Sequence, residues 1–148
     1  MLSTAPDLCH FGNAMLYSYQ WSPEYRPALA PGYLQPETVQ TFWSPVAGTR
    51  LSWDKDGSYA MGWGVVPPLD ASADPGCCRD RQFYVGHTGG AVGASSALVV
   101  LPRRNVDQHR APPQGIVVAI IVNMQSASLN KSAIKIAKLF DRATGSDE

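Results

Sequence analysis

Seven consecutive apolar residues, Ile116 to Val122, place the strongest constraint on how this chain can fold. The run is rich in β-branched side chains and lacks the alternation of a strand that has one face in solvent. This pattern is typical of a strand covered on both faces. We therefore expect a strand over Gly115 to Met124 that lies centrally in a sheet with helices on both sides.

Two further strands are predicted upstream of this run, over residues 82–88 and 94–101. The short connections between successive strands favour an antiparallel meander. Large and small side chains alternate between Tyr59 and Val66, which predicts a half-buried strand with a glycine-rich face. A turn at residues 54–57, Asp-Lys-Asp-Gly, precedes it.

Helices are predicted on either side of the strands in the sequence. In the first helix, Thr4 can cap the backbone amide of Asp7, and Pro6 falls in the first turn, where its missing donor costs nothing. The apolar stripe of this helix comprises Leu8, Phe11, Gly12, Met15, Leu16 and Tyr19. A second, short helix opens at Pro36 and ends before Pro45.

The final helix is predicted to follow a serine cap, Ser126 or Ser128, and to end at Gly145. Its apolar face would consist of Leu129, Ala133, Ile136, Ala137 and Phe140. Lysines line its other face, at Lys131, Lys135 and Lys138. The order of elements predicts an α+β fold, in which an antiparallel sheet is flanked by helices.

The length of 148 residues suits one domain with its own core, so we expect residues 1–148 to fold as a single unit. The doubly covered strand adds one requirement. Either the first helix crosses to the face opposite the final helix, or part of the protein is missing.

The composition argues against several classes of function. Basic and acidic residues number 12 each, so no global field favours nucleic acid. Cys9, Cys77 and Cys78 lack metal-type spacing and are expected to be free thiols, although an oxidising compartment is compatible with them. The three histidines are too dispersed for a zinc site, and we expect no cofactor. We also expect no signal or transit peptide and no membrane span, which needs about 18 apolar residues.

The segment His87-Thr88-Gly89-Gly90 is the stretch best suited to ligand binding. Glycines permit close approach of a ligand to the backbone, beside a titratable imidazole and a hydroxyl. An ordinary hairpin turn is the alternative interpretation of the glycines. For His87, the alternative is a cleft or core histidine with a structural hydrogen bond.

Four segments have the form of motifs from one enzyme superfamily. They are Ser3-Thr4-x-x-Asp7-Leu8-x-x-Phe11-Gly12, Tyr59-Ala60-Met61-Gly62-Trp63-Gly64-Val65, His87-Thr88-Gly89-Gly90 in place of a Lys-Thr-Gly motif, and Asn123-Met124-Gln125-Ser126 before the final helix. Together they resemble the carboxy-terminal portion of class C β-lactamases and penicillin-binding proteins. The resemblance is closest to the vertebrate mitochondrial β-lactamase-like family.

The resemblance implies a serine hydrolase that acts on peptide or related acyl bonds, with an incomplete β-lactamase/transpeptidase-like fold in this chain. Thr88 would hydrogen-bond the substrate, and Gly89 would let the substrate backbone lie close to the strand. The amide of Gly90 would be one of two oxyanion-hole donors. His87 replaces the usual lysine, so we expect weaker attraction for anionic substrates at neutral pH. A mitochondrial location and a link to lipid metabolism are also implied.

The family's acyl transfer needs a serine activated by a lysine in a Ser-x-x-Lys motif. Three sequences match by letter, at residues 52–55, 128–131 and 132–135. The first runs into a turn and the others follow the third motif, so we interpret all three as coincidences of composition. A Tyr-x-Asn element, which would supply the general base, is also absent. We therefore expect no nucleophile in this chain and no activity from it alone.

Two interpretations of function follow. The chain is either part of a serine hydrolase that supplies substrate recognition, or a truncated or regulatory product that acts by binding or self-association. An independent β-rich binding module would explain the glycines but not the family-like segments.

Overall fold

The computed structural model describes residues 3–24, 28–69, 81–107 and 110–145. Cys77, Cys78 and His109 lie outside these ranges, and Cys9 is a free thiol as predicted. The described residues form the helices α1 (Ala5–Gln20), α2 (Pro36–Phe42) and α3 (Asn130–Gly145), and the strands β1 (Ser58–Tyr59), β2 (Gly64–Val66), β3 (Tyr84–Ala91), β4 (Ala94–Pro102) and β5 (Gly115–Val122). The predicted α+β fold is confirmed.

The strands form one sheet in the order β1-β2-β3-β4-β5, with every neighbouring pair antiparallel. The predicted meander is therefore confirmed. Strand β4 lies between the two longest partners and pairs with β5 along its whole length beyond Ala94. Its side chains are almost all buried from Ala97 onwards, so β4 is the central strand of the core.

The prediction that residues 115–124 form a central strand is wrong, because β5 lies at an edge of the sheet in the described residues. Both faces of β5 are nevertheless covered. Val117 and Ala119 pack in a cluster with helix α1, whereas Val118 packs in a second cluster with helix α3. The apolar run therefore indicates that both faces of β5 are covered, and it does not indicate where β5 lies in the sheet. Helix α1 does cross to the face opposite α3, as the first alternative required.

A single strand over residues 59–66 is also wrong. The backbone turns sharply between β1 and β2, where Ala60 N donates to Trp63 O at 2.7 Å and Gly62 adopts φ +75°. Met61 at the turn is 59% exposed, while Trp63 is 6% exposed. The glycines in this stretch therefore serve a tight hairpin rather than one face of a strand.

Helix α1 begins as predicted, with a capping box. Asp7 N donates to the Thr4 hydroxyl at 3.3 Å, and Thr4 N donates to the Asp7 carboxylate at 3.1 Å. Gly12 faces β5, where an added Cβ would lie 2.5 Å from Val117 Cγ1, so glycine permits the close packing of helix on strand. Of the apolar stripe, Phe11 is the exposed member, and it stacks on Trp63 at 6.0 Å between ring centroids. The short helix α2 starts at Pro36 as expected.

Helix α3 begins at Asn130, beyond both serines, so the predicted cap at Ser126 or Ser128 is wrong. Ala133 and Ala137 are fully buried against the sheet, as predicted. Ile136 and Phe140 were assigned to the same face but are 37% and 60% exposed. Another apolar side chain, Ile134, packs against the core in their place. The fully buried face of α3 therefore consists of the two alanines, with Ile134 packed beside them.

Candidate functional site

His87, Thr88, Gly89 and Gly90 all lie within strand β3. The strand was predicted to stop at Thr88, but pairing with β4 continues to Ala91↔Ala94. The turn itself consists of Val92 and Gly93, with Gly93 at φ +81°. The hairpin interpretation is therefore correct only for the end of the glycine-rich stretch, at Gly93, whereas His87 to Gly90 are held in extended conformation by pairing with β4.

The edge of β3 that faces β2 is paired only as far as Gly86. Strand β2 pairs with Tyr84, Val85 and Gly86 and goes no further. In the described part of the chain, no strand pairs with that edge of β3 over residues 87–91. An extended backbone whose edge groups are unpaired can accept another extended segment by strand addition.

The two central glycines of this segment differ in what surrounds them. An added Cβ at Gly89 would lie 2.6 Å from Ser96 Oγ on the neighbouring strand. An added Cβ at Gly90 would meet no heavy atom within 4 Å, and its φ is not in the left-handed region. Packing within the described residues thus does not require glycine at 90. The surface of β3 at Gly90 is therefore accessible.

His87 is exposed, and its Nε2 lies 2.6 Å from the hydroxyl of Tyr59. The two share a hydrogen bond whose donor depends on the tautomer of the imidazole, and their rings meet edge to face at 5.8 Å. Tyr59 reaches His87 because β2 begins only at Gly64, opposite Gly86, and pairs with no residue of β3 beyond it. Sequence reasoning placed Tyr59 only in a strand. Its place in the Tyr-x-x-Gly-Trp segment was the sole available signal.

A depression of about 590 Å³ adjoins the open strand. It is lined by Thr88, Gly89 and Gly90 on one side and by residues 125–128 on the other. The buried hydroxyl of Ser95 fixes this second wall, since it donates to Met124 O at 2.7 Å and accepts from Ala127 N at 3.0 Å. The loop before α3 is therefore part of the same surface as the glycines, which sequence reasoning did not anticipate.

The three Ser-x-x-Lys sequences have unequal surroundings. Ser52 is exposed and leads into the turn at 54–57, where Gly57 N donates to Asp54 O at 3.2 Å. Ser132 is exposed on α3. Ser128 lines the depression beside Gly90, but Lys131 lines a different groove. Ser128 and Lys131 share no hydrogen bond in the described residues, and such a bond is what activates a serine nucleophile.

A hydrogen bond and two ion pairs connect the turn at residues 54–57 to Tyr84, at the start of β3, and to Arg81. The Tyr84 hydroxyl donates to Asp54 Oδ2 at 3.0 Å, and Arg81 Nη1 lies 2.8 Å from Asp56 Oδ2 and 3.6 Å from Asp54 Oδ1. Burial and the negative charge of Asp54 raise the pKa of Tyr84 well above its ordinary value. Tyr84 is therefore held as a neutral donor.

Within residues 3–24, 28–69, 81–107 and 110–145, no group of three or more His, Cys, Asp or Glu side chains is arranged to hold a metal ion. Among the same residues, no helix has both the length and the apolar character needed to cross a membrane.

Comparison with known proteins points to one group of relatives, although no family model matches the chain. The mitochondrial serine beta-lactamase-like protein LACTB of Homo sapiens is 51% identical over 146 residues. That of Mus musculus is 51% identical, and that of Bos taurus 52% identical, over the same length. Each alignment covers 95% of this chain and 26% of the relative. The chain is thus similar over nearly all of its length to the mitochondrial serine beta-lactamase-like proteins, and it spans about a quarter of theirs.

Proposed function

We propose that this chain supplies the substrate-binding wall of the acyl-transfer site in a beta-lactamase-related serine hydrolase that acts on peptide or related acyl bonds. The observation that carries the proposal is the open edge of β3 over residues 87–91, beside a glycine that packing does not require. Similarity to serine beta-lactamase-like proteins supports the reaction class. The chain would form the carboxy-terminal part of a single beta-lactamase-related domain.

Each residue of the segment has a proposed role in that site. An extended substrate lies along β3, with its backbone close to Gly89, and Thr88 donates a hydrogen bond to a substrate carboxylate or carbonyl. The backbone amide of Gly90 donates to the developing oxyanion. A donor of this kind is worth about 3–4 kcal/mol of transition-state stabilisation. His87, held by Tyr59, occupies the place of the family's usual lysine.

The nucleophile and the general base are proposed to come from residues outside this chain. Acyl transfer depends on holding the nucleophile within reaction distance of the oxyanion donors. None of the three Ser-x-x-Lys sequences in the described residues combines a hydrogen-bonded serine and lysine with a position beside Gly90. The location of the whole protein is proposed to be mitochondrial, because the relatives are named so. A role in lipid metabolism is proposed by resemblance alone.

Covalent labelling tests the proposal in two arms. Neither a fluorophosphonate nor a penicillin-type probe should label this chain alone, and labelling at any serine, Ser52 and Ser128 included, would contradict it. A hybrid in which this chain replaces the matching segment of the human relative should react with the fluorophosphonate. Failure of a folded hybrid to react would count equally against the proposal.

The Gly90 amide is tested in the same hybrid by a matched pair of variants. Gly90→Pro removes the N–H donor, and Gly90→Ala keeps it in a place where a methyl group meets nothing. Gly90→Pro should slow labelling by about 10²–10³-fold, and Gly90→Ala should leave it nearly unchanged. Equal effects of the two substitutions would show that the Gly90 amide is not an oxyanion donor.

A second candidate function is non-catalytic binding or self-association. It is favoured by β5, whose outer edge has no strand partner in the described residues and whose Ile121 is 41% exposed. Such an edge can pair with another strand. Light scattering after size exclusion should then show a mass that rises with concentration, and Ile121→Lys should abolish the rise. A constant monomer mass would rule out self-association.

A further inference from the structure

A second depression, of about 610 Å³, lies between α3 and the turn that precedes β1. We call it the α3 groove. Its lining includes Trp53, Ile134 and Leu139, which provide apolar surface, and the cations described below. None of residues 87–90 lines it, so the α3 groove is separate from the proposed acyl-transfer site.

Positive charge is concentrated on one face of this groove. Lys131, Lys135, Lys138 and Arg142 all line it. They recur along α3 at intervals of four, three and four, which places them on one helical face. Arg81 lines the opposite wall, held there by Asp54 and Asp56. Asp54, the acidic residue in the lining, is already engaged by Arg81 and Tyr84.

These four cations on one face of α3, which we call the cationic stripe, lower the stability of the helix. Like charges three or four residues apart repel, and a cation in the first turn, as at Lys131, opposes the helix dipole. The first turn of α3 contains no acidic residue. Within the described ranges, no acidic side chain forms an ion pair with Lys131, Lys135 or Lys138.

The concentration of charge is also unusual for this composition. The chain has no net charge and four lysines, of which three belong to this stripe. A solvated helix in a neutral protein commonly intersperses charges of both signs. Three lysines beside a groove, with no acidic partner among the described residues, match a ligand that carries several negative charges in a small volume.

We propose that the α3 groove binds a multiply charged phosphate-bearing anion. Phosphate oxygens accept charge-assisted hydrogen bonds from lysine ammonium groups, and a polyphosphate or a phosphorylated headgroup brings several such oxygens together. Lys135 and Lys138 lie at the middle of the stripe and make the main contacts. Trp53 and Leu139 pack against the apolar part of the ligand. The same chemistry is carried by soluble polyphosphate compounds and by anionic phospholipid headgroups.

Calorimetric titration with sodium tripolyphosphate tests the site. The double substitution Lys135→Gln, Lys138→Gln should raise Kd by about tenfold or more, because each lysine supplies a charged hydrogen bond. The control is Arg50→Gln, Lys55→Gln, which removes the same charge from exposed positions outside the groove. It should change Kd by less than about twofold if screened long-range attraction is minor. Far-ultraviolet circular dichroism verifies that both variants are folded.

Vesicle sedimentation separates the two sources of phosphate. Tripolyphosphate binding without sedimentation on phosphatidylcholine–phosphatidylglycerol vesicles assigns the groove to a soluble ligand. Sedimentation that the Lys135/Lys138 substitutions abolish, without tripolyphosphate binding, assigns it to a lipid headgroup. Binding to neither probe overturns the proposal. Equal weakening by the control variant also overturns it, since attraction would then reflect general charge rather than this groove.

Discussion

At the scale of single residues, glycine in β3 serves two opposite purposes. At Gly86, an added Cβ would lie 2.8 Å from the backbone oxygen of Leu98, which cannot move without disturbing the sheet. At Gly90, the same atom would meet open space. The first glycine is required by packing, whereas the second leaves a surface accessible. Two residues of one type, four positions apart, therefore have different reasons to be glycine.

This contrast predicts the stability of two alanine variants. Gly86→Ala should lower the free energy of unfolding by about 1–3 kcal/mol, the usual cost of overpacking. Gly90→Ala should change it by less than about 0.5 kcal/mol, as at an open surface position. Urea denaturation of both variants measures the difference. Equal losses would show that Gly90 is also needed for packing.

Histidine at position 87, where the related motif has lysine, predicts a weak preference for anionic substrates. A lysine ammonium is a compact point charge with three donors on a flexible stem, whereas the His87 imidazole is engaged by the Tyr59 hydroxyl. In the hybrid protein, His87→Lys should raise kcat/KM for an anionic acyl substrate. A neutral substrate of the same shape serves as the control. Equal changes in kcat/KM for the two substrates would contradict this role.

The site could be predicted from sequence only where its residues are contiguous. His87 to Gly90 stand together in the chain, so their composition pointed to a ligand surface. Tyr59 is 28 positions from His87, and their 2.6 Å contact depends on where β2 begins. Ser95 and the 125–128 loop became part of the surface through strand register, which no local pattern encodes.

At the scale of secondary-structure elements, a local capping box determines where α1 starts. Thr4 and Asp7 satisfy one another's backbone amides, and the helix begins at the next residue after Thr4. Such reciprocal caps depend only on neighbours in sequence. Neither Thr4 nor Asp7 lines the depression beside the open edge of β3, so we expect loss of the cap to affect stability and not the site.

Replacement of the cap is therefore expected to cost stability alone. Thr4→Ala should lower the free energy of unfolding by about 1 kcal/mol. Thr4→Ser keeps the hydroxyl acceptor and should retain most of the stability. Thermal unfolding followed by circular dichroism compares the three proteins. A loss of the same size in Thr4→Ser would show that the methyl group, and not the cap, is responsible.

Elements that depend on tertiary contacts were less predictable. The alternation from Tyr59 to Val66 has the period of a strand, but Gly62 at positive φ folds it into the β1–β2 hairpin. The apolar run in β5 indicated two covered faces correctly, while its edge position follows from chain topology. Periodicity reports the burial of faces and carries no information on strand order.

At the scale of the whole molecule, the Tyr84–Asp54–Arg81 contacts join the sheet to the turn before β1. Tyr84 is 3% exposed, and burial with the Asp54 charge raises its pKa. Because the folded state resists ionisation of this phenol, its contribution to stability is complete below the unfolded pKa of about 10. It is lost as the pH rises above that value.

The pH dependence of unfolding tests this coupling. Above about pH 10, the free energy of unfolding of the native sequence should fall with pH, and Tyr84→Phe should reduce the slope. At neutral pH, Tyr84→Phe should itself cost about 1 kcal/mol through the lost hydrogen bond. Tyr33→Phe is a suitable control, since Tyr33 is 90% exposed. Identical slopes for all three proteins would contradict the coupling.

The packing of α1 against β5 sets the earliest point during synthesis at which the apolar stripe of α1 can be fully covered. Gln20 and Gln114 exchange hydrogen bonds of 2.7 Å across 94 positions of sequence, and Gly12 meets Val117. The apolar stripe of α1 therefore has no complete partner until β5 has left the ribosome. Contacts this distant in sequence form slowly, and exposed apolar surface attracts chaperones in the interval. A nascent chain that stops before residue 115 would be released with one side of its sheet uncovered.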